Sequence, residues 1–537
     1  MTVVKNIKPK NISTIKDCIC EIEPKDLYPL PAPYDKVEEL PGFKKLNDKF
    51  KEEQEVNLDG VVIGGLPPKP KTKEEEEVYV KSFIEAVRKL FTKEDNWTFL
   101  QPLVLSMEHC AKCQSCSDMC PIYESSGGQE IYRPTFRAEV LRKVYFKYVK
   151  PGNKVFNAFQ QGDIKVNWEL ISRLYELCYR CTLCRRCATA CPISVDNGLI
   201  TRELRKLFSQ EMGFYTKALH EKGTVQHLQV GSSTGMNSLV VKDNIEFIDE
   251  EMTDKTGIKV ETQWDKSGAD VLLIHNAGEI LAWPDNPGAF ALLLDAAGIS
   301  WTMSSELLGY DGVNYGLFYD DVQYARIYAR HMEIAKKLGV KKIVMGECGH
   351  QSKAMAAIGS RIDNSIPREA AMTLMREIVF SGKIKFNPDQ NYFPVTLHDP
   401  CNLVRSMGIV EPQREILRYL APKFREMYPH GVDNYCCGGG SGFAIMQQNN
   451  FADWRLQVSG RKKMEQIINA FKDEDPSPDL PKYVCAPCSN CKGQIRDLLE
   501  YYGATTKNGI YYDGLVELII NAMVDIKEPF IDFENRF

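Results

Sequence analysis

The cysteines of the C-terminal region have a spacing that suits the binding of a metal cluster. Cys401 is followed by the adjacent pair Cys436-Cys437 and then by the run Cys485-Ala-Pro-Cys488-Ser-Asn-Cys491. Three glycines, Gly438 to Gly440, come directly after the pair, and glycine lets the backbone approach a neighbouring group closely because it has no Cβ. Adjacent cysteines are a poor choice for ordinary packing. The pattern therefore predicts several thiolates that converge on one metal cluster.

Two further cysteine runs have the spacing of ferredoxin motifs, Cys-x2-Cys-x2-Cys-x3-Cys-Pro. In two-cluster ferredoxins the fourth cysteine of each run binds the other cluster. We therefore predict two cubane [4Fe-4S] clusters with crossed ligands. The first would be bound by Cys110, Cys113, Cys116 and Cys191, and the second by Cys181, Cys184, Cys187 and Cys120. Two structural zinc sites are the alternative, but zinc does not account for the shared Cys-Pro endings.

Other residues near these motifs have two possible roles. Cys348 and His350, in Glu-Cys-Gly-His after a predicted strand, are candidate catalytic residues, as a sulfur-handling thiol and a proton donor. The alternative is a buried cysteine and a structural histidine at a strand end. His398 and Asp399, near Cys401, are predicted to orient a ligand rather than to react. Cys178 is predicted to be a buried neighbour of the second run, and no role is assigned to Cys18 and Cys20.

Composition indicates a soluble, multi-domain protein without disulfides. The chain has 537 residues, of which 44% are hydrophobic and 26% charged, as in ordinary globular proteins. A net charge of -5 gives no support to nucleic-acid binding. The sequence contains no apolar run of about 18 residues, so no membrane-spanning helix is predicted. Residues 1–10 also lack the apolar core of a signal peptide. Tight clusters among 18 cysteines favour metal binding over disulfides, so we expect a cytoplasmic protein.

The chain divides into five predicted segments, and the fold class is α+β with several domains. Residues 1–75, rich in proline and charge, predict an extended N-terminal arm. Residues 76–215 predict a helical domain that carries both ferredoxin motifs, and 216–268 a linker with small elements. Residues 269–390 and 391–537 alternate strand and helix, which predicts two small α/β lobes with parallel strands.

The two lobes are predicted to be divergent copies of one unit. His275-Asn276 stands where His398 to Cys401 stands, and Gly309 to Gly312 stands where Cys436-Cys437-Gly438 stands. Gly346 to His350 corresponds to the late Cys-x-x-Cys. The first copy has lost most of the cysteines, so we expect one cluster in the second lobe and none in the first.

The order of a single cysteine, Cys-Cys-Gly and a late Cys-x-x-Cys resembles the CCG cysteine-rich motif of heterodisulfide reductases. That resemblance implies a noncubane [4Fe-4S] cluster held by five cysteines, and thiol–disulfide chemistry at Cys436 and Cys437. Its ligands would include Cys401, Cys436 and Cys437. Cys488 and Cys491 match the family ending best, although Cys485 and Cys488 have the same spacing and stay an alternative.

From about Ser106 to the C-terminus, the motifs together resemble the DsrK-type subunits of DsrMKJOP membrane redox complexes. They are the paired ferredoxin runs, Glu-Cys-Gly-His, His-Asp-Pro-Cys-Asn, Cys-Cys-Gly-Gly-Gly-Ser-Gly and Cys-Ala-Pro-Cys-Ser-Asn-Cys-Lys-Gly-Gln. The resemblance implies a peripheral subunit on the cytoplasmic side of the membrane, bound to a DsrM-like haem b subunit and the other DsrMKJOP subunits. It also implies that electrons from menaquinol pass through the cubanes to the noncubane cluster and reduce the trisulfide of the protein DsrC, an intermediate of sulfite reduction.

Two other functions stay open. One is a heterodisulfide reductase that acts on small thiols. The other is an electron-relay subunit of a flavin dehydrogenase, which does no disulfide chemistry. No convincing Gly-x-Gly-x-x-Gly motif follows a predicted strand. We therefore expect no flavin in this chain, and the relay function would require a flavoprotein partner.

Overall fold

The computed structural model describes residues 59–533, apart from residues 153, 162, 313–319 and 444–450, together with three short strands before residue 59. Most of the predicted N-terminal arm, including Cys18, therefore lies outside the described residues. The strands are β1 Asn11–Ile12, β2 Cys20–Glu21, β3 Gln54–Val56, β4 Ile63–Leu66, β5 Val271–Ile274, β6 Trp301–Thr302, β7 Lys342–Met345, β8 Arg368–Ala370, β9 Val395–Leu397, β10 Phe424–Arg425, β11 Lys482–Cys485 and β12 Ile510–Asp513.

Helices make up most of the rest of the described chain. Before the first lobe they are Lys73–Leu90, Leu100–Glu108, Ser115–Asp118, Pro121–Ser125, Pro134–Tyr148, Lys154–Gln161, Trp168–Cys178, Arg186–Thr189, Asn197–Lys206, Gln226–Val230 and Ser238–Thr256. In the lobes they are Ala277–Ala282, Asp285–Ala296, Asp321–Leu338, Gly349–Lys353, Ala371–Val379, Cys401–Val404, Pro412–Leu420, Phe451–Trp454, Arg461–Ala470, Ser489–Tyr502, Ala504–Asn508 and Val516–Asn521. None of the described helices is long and apolar enough to cross a bilayer.

The domain that carries the ferredoxin motifs is helical, and the end of the predicted arm is packed onto it. The strand Ile63–Leu66 is fully buried, and the hydroxyl of Tyr175 donates to the carbonyl of Gly64 at 2.8 Å. Arg180 donates two hydrogen bonds of 2.8 Å to the carboxylate of Asp59. The apolar residues just before the first helix thus pack onto the hydrophobic core of this domain. The predicted extended arm therefore does not hold near residues 59–67, which are packed onto this domain, and the first helix begins at Lys73, within the predicted arm.

Residues 216–268, predicted as a linker, contain the 19-residue helix Ser238–Thr256. Asn237 caps it, because its side chain accepts from the Val240 amide at 3.0 Å. Its buried face packs into the core of the lobes through Val241, Ile245, Ile248 and Met252. This apolar stripe at helical spacing makes the segment part of the first lobe's core, which corrects the linker prediction.

Each lobe contains a four-stranded parallel sheet, and both sheets have the same topology. The strand order is β6-β5-β7-β8 in the first lobe and β10-β9-β11-β12 in the second. In both, the first strand of the lobe lies between the second and third, as in the pairs Leu273–Val344 and Val395–Tyr483. The central strands are buried apolar runs, as expected for parallel strands covered on both faces. The predicted α+β class with two parallel lobes is confirmed.

The helical domain packs against the second lobe along a seam of arginine hydrogen bonds. Arg405 donates to the carbonyl of Cys184 at 3.1 Å, and Arg186 donates to the carbonyl of Asp433 at 2.8 Å. Arg205 reaches the carbonyl of Ser441 at 3.0 Å. Two of these bonds join the second ferredoxin loop to the second lobe. The seam therefore fixes the ferredoxin loop close to the lobe.

Candidate metal centres

The two ferredoxin loops have the same backbone turn. Lys112 and Gln114, on either side of Cys113, have left-handed φ angles of 57° and 68°. Leu183 and Arg185, on either side of Cys184, have φ angles of 55° and 63°. Non-glycine residues rarely adopt this conformation, and such strain is concentrated at functional sites. The identical spacing of the two runs thus produces two identical thiol-bearing loops.

The first set of thiols, which we call the outer set, comprises Cys110, Cys113, Cys116 and Cys191. Burial, together with the nearby thiols of Cys110 and Cys191, raises the pKa of Cys116 to about 11. Cys113 is exposed, whereas Cys110 and Cys191 are partly buried. Cys191 thus lies beside the first run although it belongs to the second, as crossed ligation requires.

The inner set comprises Cys181, Cys184, Cys187 and Cys120, and it lies deeper. Burial, together with the nearby thiols of Cys184 and Cys181, raises the pKa of Cys120 to about 12. The pKa of Cys187 is also well above its usual range, from burial and from the charges of Asp196, Cys184 and Cys181. Cys120 therefore lies among the thiols of the second run. The crossed ligand assignment stays a prediction, which this proximity supports.

Two buried arginines lie beside the inner set, and the sequence did not point to them. Arg137 faces the thiols of the inner set, whose charges raise the pKa of its guanidinium although burial opposes this; its Nε donates to Thr201 at 2.5 Å. Arg205 donates to the carbonyl of Cys181 at 2.8 Å. Both lie on helices outside the second run, at positions that its cysteine spacing does not signal. Cys178 is fully buried and donates to the carbonyl of Leu174 at 2.9 Å, the position expected of a neighbour.

Five cysteines of the second lobe meet in one buried cluster, which we call the CCG site. Its members are Cys401, Cys436, Cys437, Cys488 and Cys491, and Cys184 packs against them. They come from a helix start after β9, from the loop before Gly438 and from the first turn of the helix Ser489–Tyr502. The carboxyl ends of parallel strands meet at one edge of a sheet, where such sites form. Cys485, the last residue of β11, lies in the hydrophobic core and not in this cluster.

The thiols of the CCG site form a hydrogen-bonded chain that begins in the inner set. The pKa of Cys437 lies well below its usual range because Cys436 and Cys491 donate hydrogen bonds to it. Hydrogen bonds from Cys348 and Cys491 likewise lower the pKa of Cys488. A hydrogen bond to Cys436 raises the pKa of Cys184. In order, the chain of contacts is Cys184, Cys436, Cys437, Cys491, Cys488 and Cys348.

His398 and Asp399 have different positions relative to this site. A ring nitrogen of His398 lies within 4.8 Å of the sulfur atoms of Cys437 and Cys491, and burial lowers its pKa. Asp399 instead accepts two hydrogen bonds from Arg414, at 2.7 and 2.6 Å, and one from the Gly431 amide at 2.6 Å. Asp399 therefore anchors the loop that leads to the Cys-Cys pair.

The glycines after the Cys-Cys pair allow other parts of the chain to pack closely against the backbone. A Cβ on Gly438, whose φ is +94°, would lie 2.5 Å from the backbone of Gly460. A Cβ on Gly439 would lie 2.7 Å from the side chain of Gln494, and one on Gly440 would lie 3.2 Å from the carbonyl oxygen of Thr182. Thr182 belongs to the second ferredoxin loop. The glycines therefore bring the inner set and the CCG site together.

The donor atoms fit iron–sulfur clusters. The outer set and the inner set each offer four thiols and the CCG site offers five, all of them free cysteines, and thiolate-only sets select soft metals and iron–sulfur clusters. A buried lysine, Lys463, lies near the CCG site, and burial lowers its pKa to about 7. Closely packed thiolates without a metal would repel one another. The residues therefore suit clusters at all three places.

The first lobe fills the position that corresponds to the CCG site with polar side chains. The buried carboxylate of Asp311 accepts from the Ser233 amide and from the Ala277 amide, both at 2.8 Å. A Cβ on Gly312 would lie 2.0 Å from the Gln351 side chain. Gln351 in turn donates to the carbonyl of Ile274 at 2.8 Å. Among the described residues, this position has no convergent thiols.

Cys348 and His350 project from the first lobe toward the CCG site of the second. Their ligand atoms and the sulfur of Cys488 all lie within 4.8 Å of one another. The Gly349 amide also donates to the sulfur of Cys488 at 3.4 Å. The side-chain amide of Asn490 lies 3.0 Å from Nδ1 of His350. The structure thus brings Cys348 and His350 next to the predicted ligand Cys488, although Cys488 is far from them in the sequence.

Two family models match the chain. The model described as "4Fe-4S dicluster domain" matches residues 106–195, and the one described as "Cysteine-rich domain", the CCG domain, matches residues 395–496. These ranges contain the outer and inner sets and the CCG site, respectively. Both models describe the segments in which the sequence predicted clusters, and they indicate that the chain binds [4Fe-4S] clusters.

Curated relatives extend over most of the chain. The Hdr-like menaquinol oxidoreductase iron-sulfur subunit 2 of Archaeoglobus fulgidus is 27% identical over 82% of this chain and 83% of its own length. A component of the dihydromethanophenazine:CoB–CoM heterodisulfide reductase of Methanosarcina barkeri is 24% identical over 78% of this chain and 95% of its own length. The predicted resemblance to heterodisulfide reductases is confirmed. The chain thus contains a dicluster domain and a CCG domain and resembles the iron–sulfur subunits of heterodisulfide-reductase-like complexes, which supports an electron-transfer iron–sulfur subunit.

Proposed function

We propose that the protein reduces a disulfide or trisulfide at the CCG site, with electrons supplied by a quinol-oxidising haem b partner in the membrane. The observation that carries this proposal is the continuous chain of thiols from Cys184 of the inner set to Cys348. A subunit that only relayed electrons would have no need of a buried thiol and a histidine beside its last set of cysteines. In this proposal the outer and inner sets hold two cubane [4Fe-4S] clusters and the CCG site holds one noncubane [4Fe-4S] cluster.

The positions of the cysteine sets support one direction along the chain. Cys113 of the outer set is exposed, so that set is accessible to a partner protein. Cys184 of the inner set donates a hydrogen bond to Cys436 of the CCG site. When bound, the clusters would supply single electrons and a metal that stabilises a thiolate. The outer set is therefore the proposed entry for electrons, and the CCG site is the proposed place of reaction.

The reaction needs protons as well as electrons, and the first lobe supplies candidate donors. A disulfide takes up two electrons and two protons to give two thiols, and a trisulfide takes up four of each to give two thiols and hydrogen sulfide. The thiol of Cys348 and the ring of His350 lie beside Cys488. Side chains within hydrogen-bond reach of a reacting group can act as general acids. We assign proton delivery to His350 and handling of the leaving sulfur to Cys348.

The physiological partners belong to the same proposal. The Archaeoglobus relatives are named menaquinol oxidoreductase subunits, which supports a quinol as the electron source and a membrane complex as the setting. A DsrM-like haem b subunit would bind this protein at the cytoplasmic side of the membrane, with the other DsrMKJOP subunits nearby. The DsrC trisulfide is the proposed substrate.

The test compares two buried cysteines of the second lobe. Cys437→Ser removes a member of the CCG site, whereas Cys485→Ser changes a buried cysteine that lies outside it. After mild oxidation we expect the wild type and Cys485→Ser to show a paramagnetic resonance signal that Cys437→Ser lacks. The signals of the reduced cubanes should persist in all three proteins. Disulfide reduction by Cys437→Ser at the wild-type rate would overturn the proposal in favour of an electron relay.

A further inference from the structure

A cavity of about 110 Å³ lies between the helical domain and the lobes. Thr182, Leu183 and Arg185 of the second ferredoxin loop line one wall, and His350, Lys353 and Asn402 line the other. The lobe residues come from Gly349–Lys353 and from the helix that begins at Cys401. Residues of both halves of the molecule therefore form this cavity.

The wall of the cavity formed by His350 borders the CCG site. His350, which lines it, has a ring nitrogen within 4.8 Å of the sulfur atoms of Cys488 and Cys348. Asn402 follows Cys401 directly in the chain. The Thr182 carbonyl lies against Gly440, just beyond the Cys-Cys pair. A molecule in this cavity would have its far end in contact with His350 and close to the cysteines.

Three cations line the cavity, and one of them forms no direct ion pair with the described residues. Arg202 pairs with Asp321 and Glu203, and Arg185 pairs with Asp196 at 2.6 Å. The Lys353 ammonium forms no direct ion pair or side-chain hydrogen bond with the described residues, and the charges of Asp196 and Cys401 act on it only from a greater distance. Burial, together with the charge of Arg185, lowers its pKa to about 8. A partly buried ammonium without a partner favours the binding of an anion, which would restore the lost hydration.

We propose that this cavity binds the carboxylate end of the sulfur substrate, with the Lys353 ammonium as its anchor and the sulfur end at His350. The proposal rests on the function proposed above and names its substrate class, a carboxylate-bearing disulfide or trisulfide. The cavity is too small for a folded domain. The carboxylate therefore belongs either to a small thiol or to the terminal segment of a protein.

The test separates the charge of the substrate from its sulfur chemistry. With reduced methyl viologen as donor, the holoprotein is given 3,3′-dithiodipropionate, which has two carboxylates, or the neutral bis(2-hydroxyethyl) disulfide. For Lys353→Gln we expect KM for the carboxylate substrate to rise about tenfold or more, as expected for the loss of one charge-assisted hydrogen bond. KM for the neutral substrate should not change. Lys353→Arg should retain most of the preference for the carboxylate.

The control is Lys341→Gln, which removes a lysine of the same lobe next to the amino end of β7, away from the cavity. A second readout does not need turnover: the concentration of 3-mercaptopropionate, relative to 2-mercaptoethanol, that half-perturbs the paramagnetic signal of the oxidised CCG site. It should rise in Lys353→Gln and stay constant in Lys341→Gln. Equal effects of Lys353→Gln on the charged and neutral compounds, or no effect on either, would overturn the cavity assignment.

The source of the carboxylate and the proposed function can be judged from the same measurements. Reduction of a disulfide-bearing peptide with a free C-terminus, with weaker binding after amidation, would identify a protein tail. Preference for the small dicarboxylate would identify a small thiol. If the wild type reduced no disulfide and no thiol perturbed its signal, both proposals would fail. If it reduced both disulfides and Lys353→Gln changed nothing, only the cavity assignment would fail.

Discussion

The two α/β lobes have the same sheet topology, yet only the second has a set of convergent thiols among the described residues. Cys348 and Cys488 are equivalent positions, since each is the third residue after the third strand of its lobe and each precedes a helix. In the second lobe that position joins four other cysteines. In the first lobe, Asp311 and Gln351 occupy the place of the missing thiols. The comparison teaches that the fold requires this position to be filled by packed side chains of any suitable kind, whereas the proposed chemistry requires cysteines there.

A second lesson concerns the direction in which Cys348 points. Cys348 lies in the first lobe, yet it contacts Cys488 of the second lobe. Two equivalent positions thus face each other, one as a predicted ligand and the other as a predicted reactant. The first lobe serves the second as one wall of its site.

The largest expected difference comes from changing these two equivalent cysteines. Cys488→Ser should remove the CCG cluster, because a predicted ligand is lost, and activity should fall to background. Cys348→Ser should keep the cluster, while kcat falls about a hundredfold or more from the loss of a reacting group. Iron content and the paramagnetic signal of the oxidised protein distinguish them. Loss of that signal in Cys348→Ser would instead make Cys348 a ligand.

Two histidines of the first lobe, His275 and His350, should separate activity from stability. His350→Gln should lower kcat about a hundredfold with little change in Tm, because His350 is proposed to deliver a proton to the site. His275→Gln should lower Tm and leave kcat unchanged, because the buried His275 contacts Glu279 at 3.2 Å within the filled place. Steady-state kinetics and thermal unfolding measure the two effects. If both variants lost only stability, His350 would have a structural role.

The polar filling of the first lobe should be worth a measurable amount of stability. Asp311→Ala would leave the buried amides of Ser233 and Ala277 without their acceptor, at a cost of about 2 kcal/mol or more. Chemical denaturation of the anaerobic protein checks this value. Iron content should be that of the wild type, and a loss of iron on this substitution would show that the polar filling of the first lobe is needed to hold the clusters.

The smallest effect is expected at Gly349, between Cys348 and His350. An added Cβ would lie 3.4 Å from Leu403 and 3.7 Å from the sulfur of Cys488, which are ordinary contact distances. Gly349→Ala should therefore change stability and KM by less than about 0.5 kcal/mol. Gly312→Ala is the matched comparison, because its Cβ would lie 2.0 Å from Gln351. The two variants test whether the site is open beside Gly349 and tightly packed beside Gly312.

Much of the fold and part of the site could be predicted because their signals are local. The ferredoxin loops depend on cysteines spaced two and three residues apart, and the buried strands are short apolar runs at regular intervals. The pseudo-repeat of the two lobes also makes Gly346 to His350 equivalent to the late Cys-x-x-Cys. That Cys348 and Cys488 touch could not be predicted, because 140 residues separate them and their contact depends on how the lobes pack.

The same reason explains the other omissions. Arg137 and Arg205 reach the inner set from helices that bear no cysteine of the second run. The helix Ser238–Thr256 gave an apolar stripe, but only the packed core shows what that stripe covers. The cavity at Lys353 joins walls from two halves of the chain. Tertiary packing decides these features, and a single sequence contains them only implicitly.

The arginine seam between the ferredoxin loop and the second lobe has a consequence for the speed of the protein. Its donors are guanidinium groups, which stay protonated at all physiological pH values, and two of its acceptors are the backbone carbonyls of Cys184 and Asp433. No side-chain titration can therefore loosen it. In the proposed electron path, the distance between the inner set and the CCG site would therefore be fixed when the chain folds and would not change during turnover. Because this contact does not respond to pH, regulation would act where the proposed electrons enter, at the outer set, or where the substrate binds, at the CCG site.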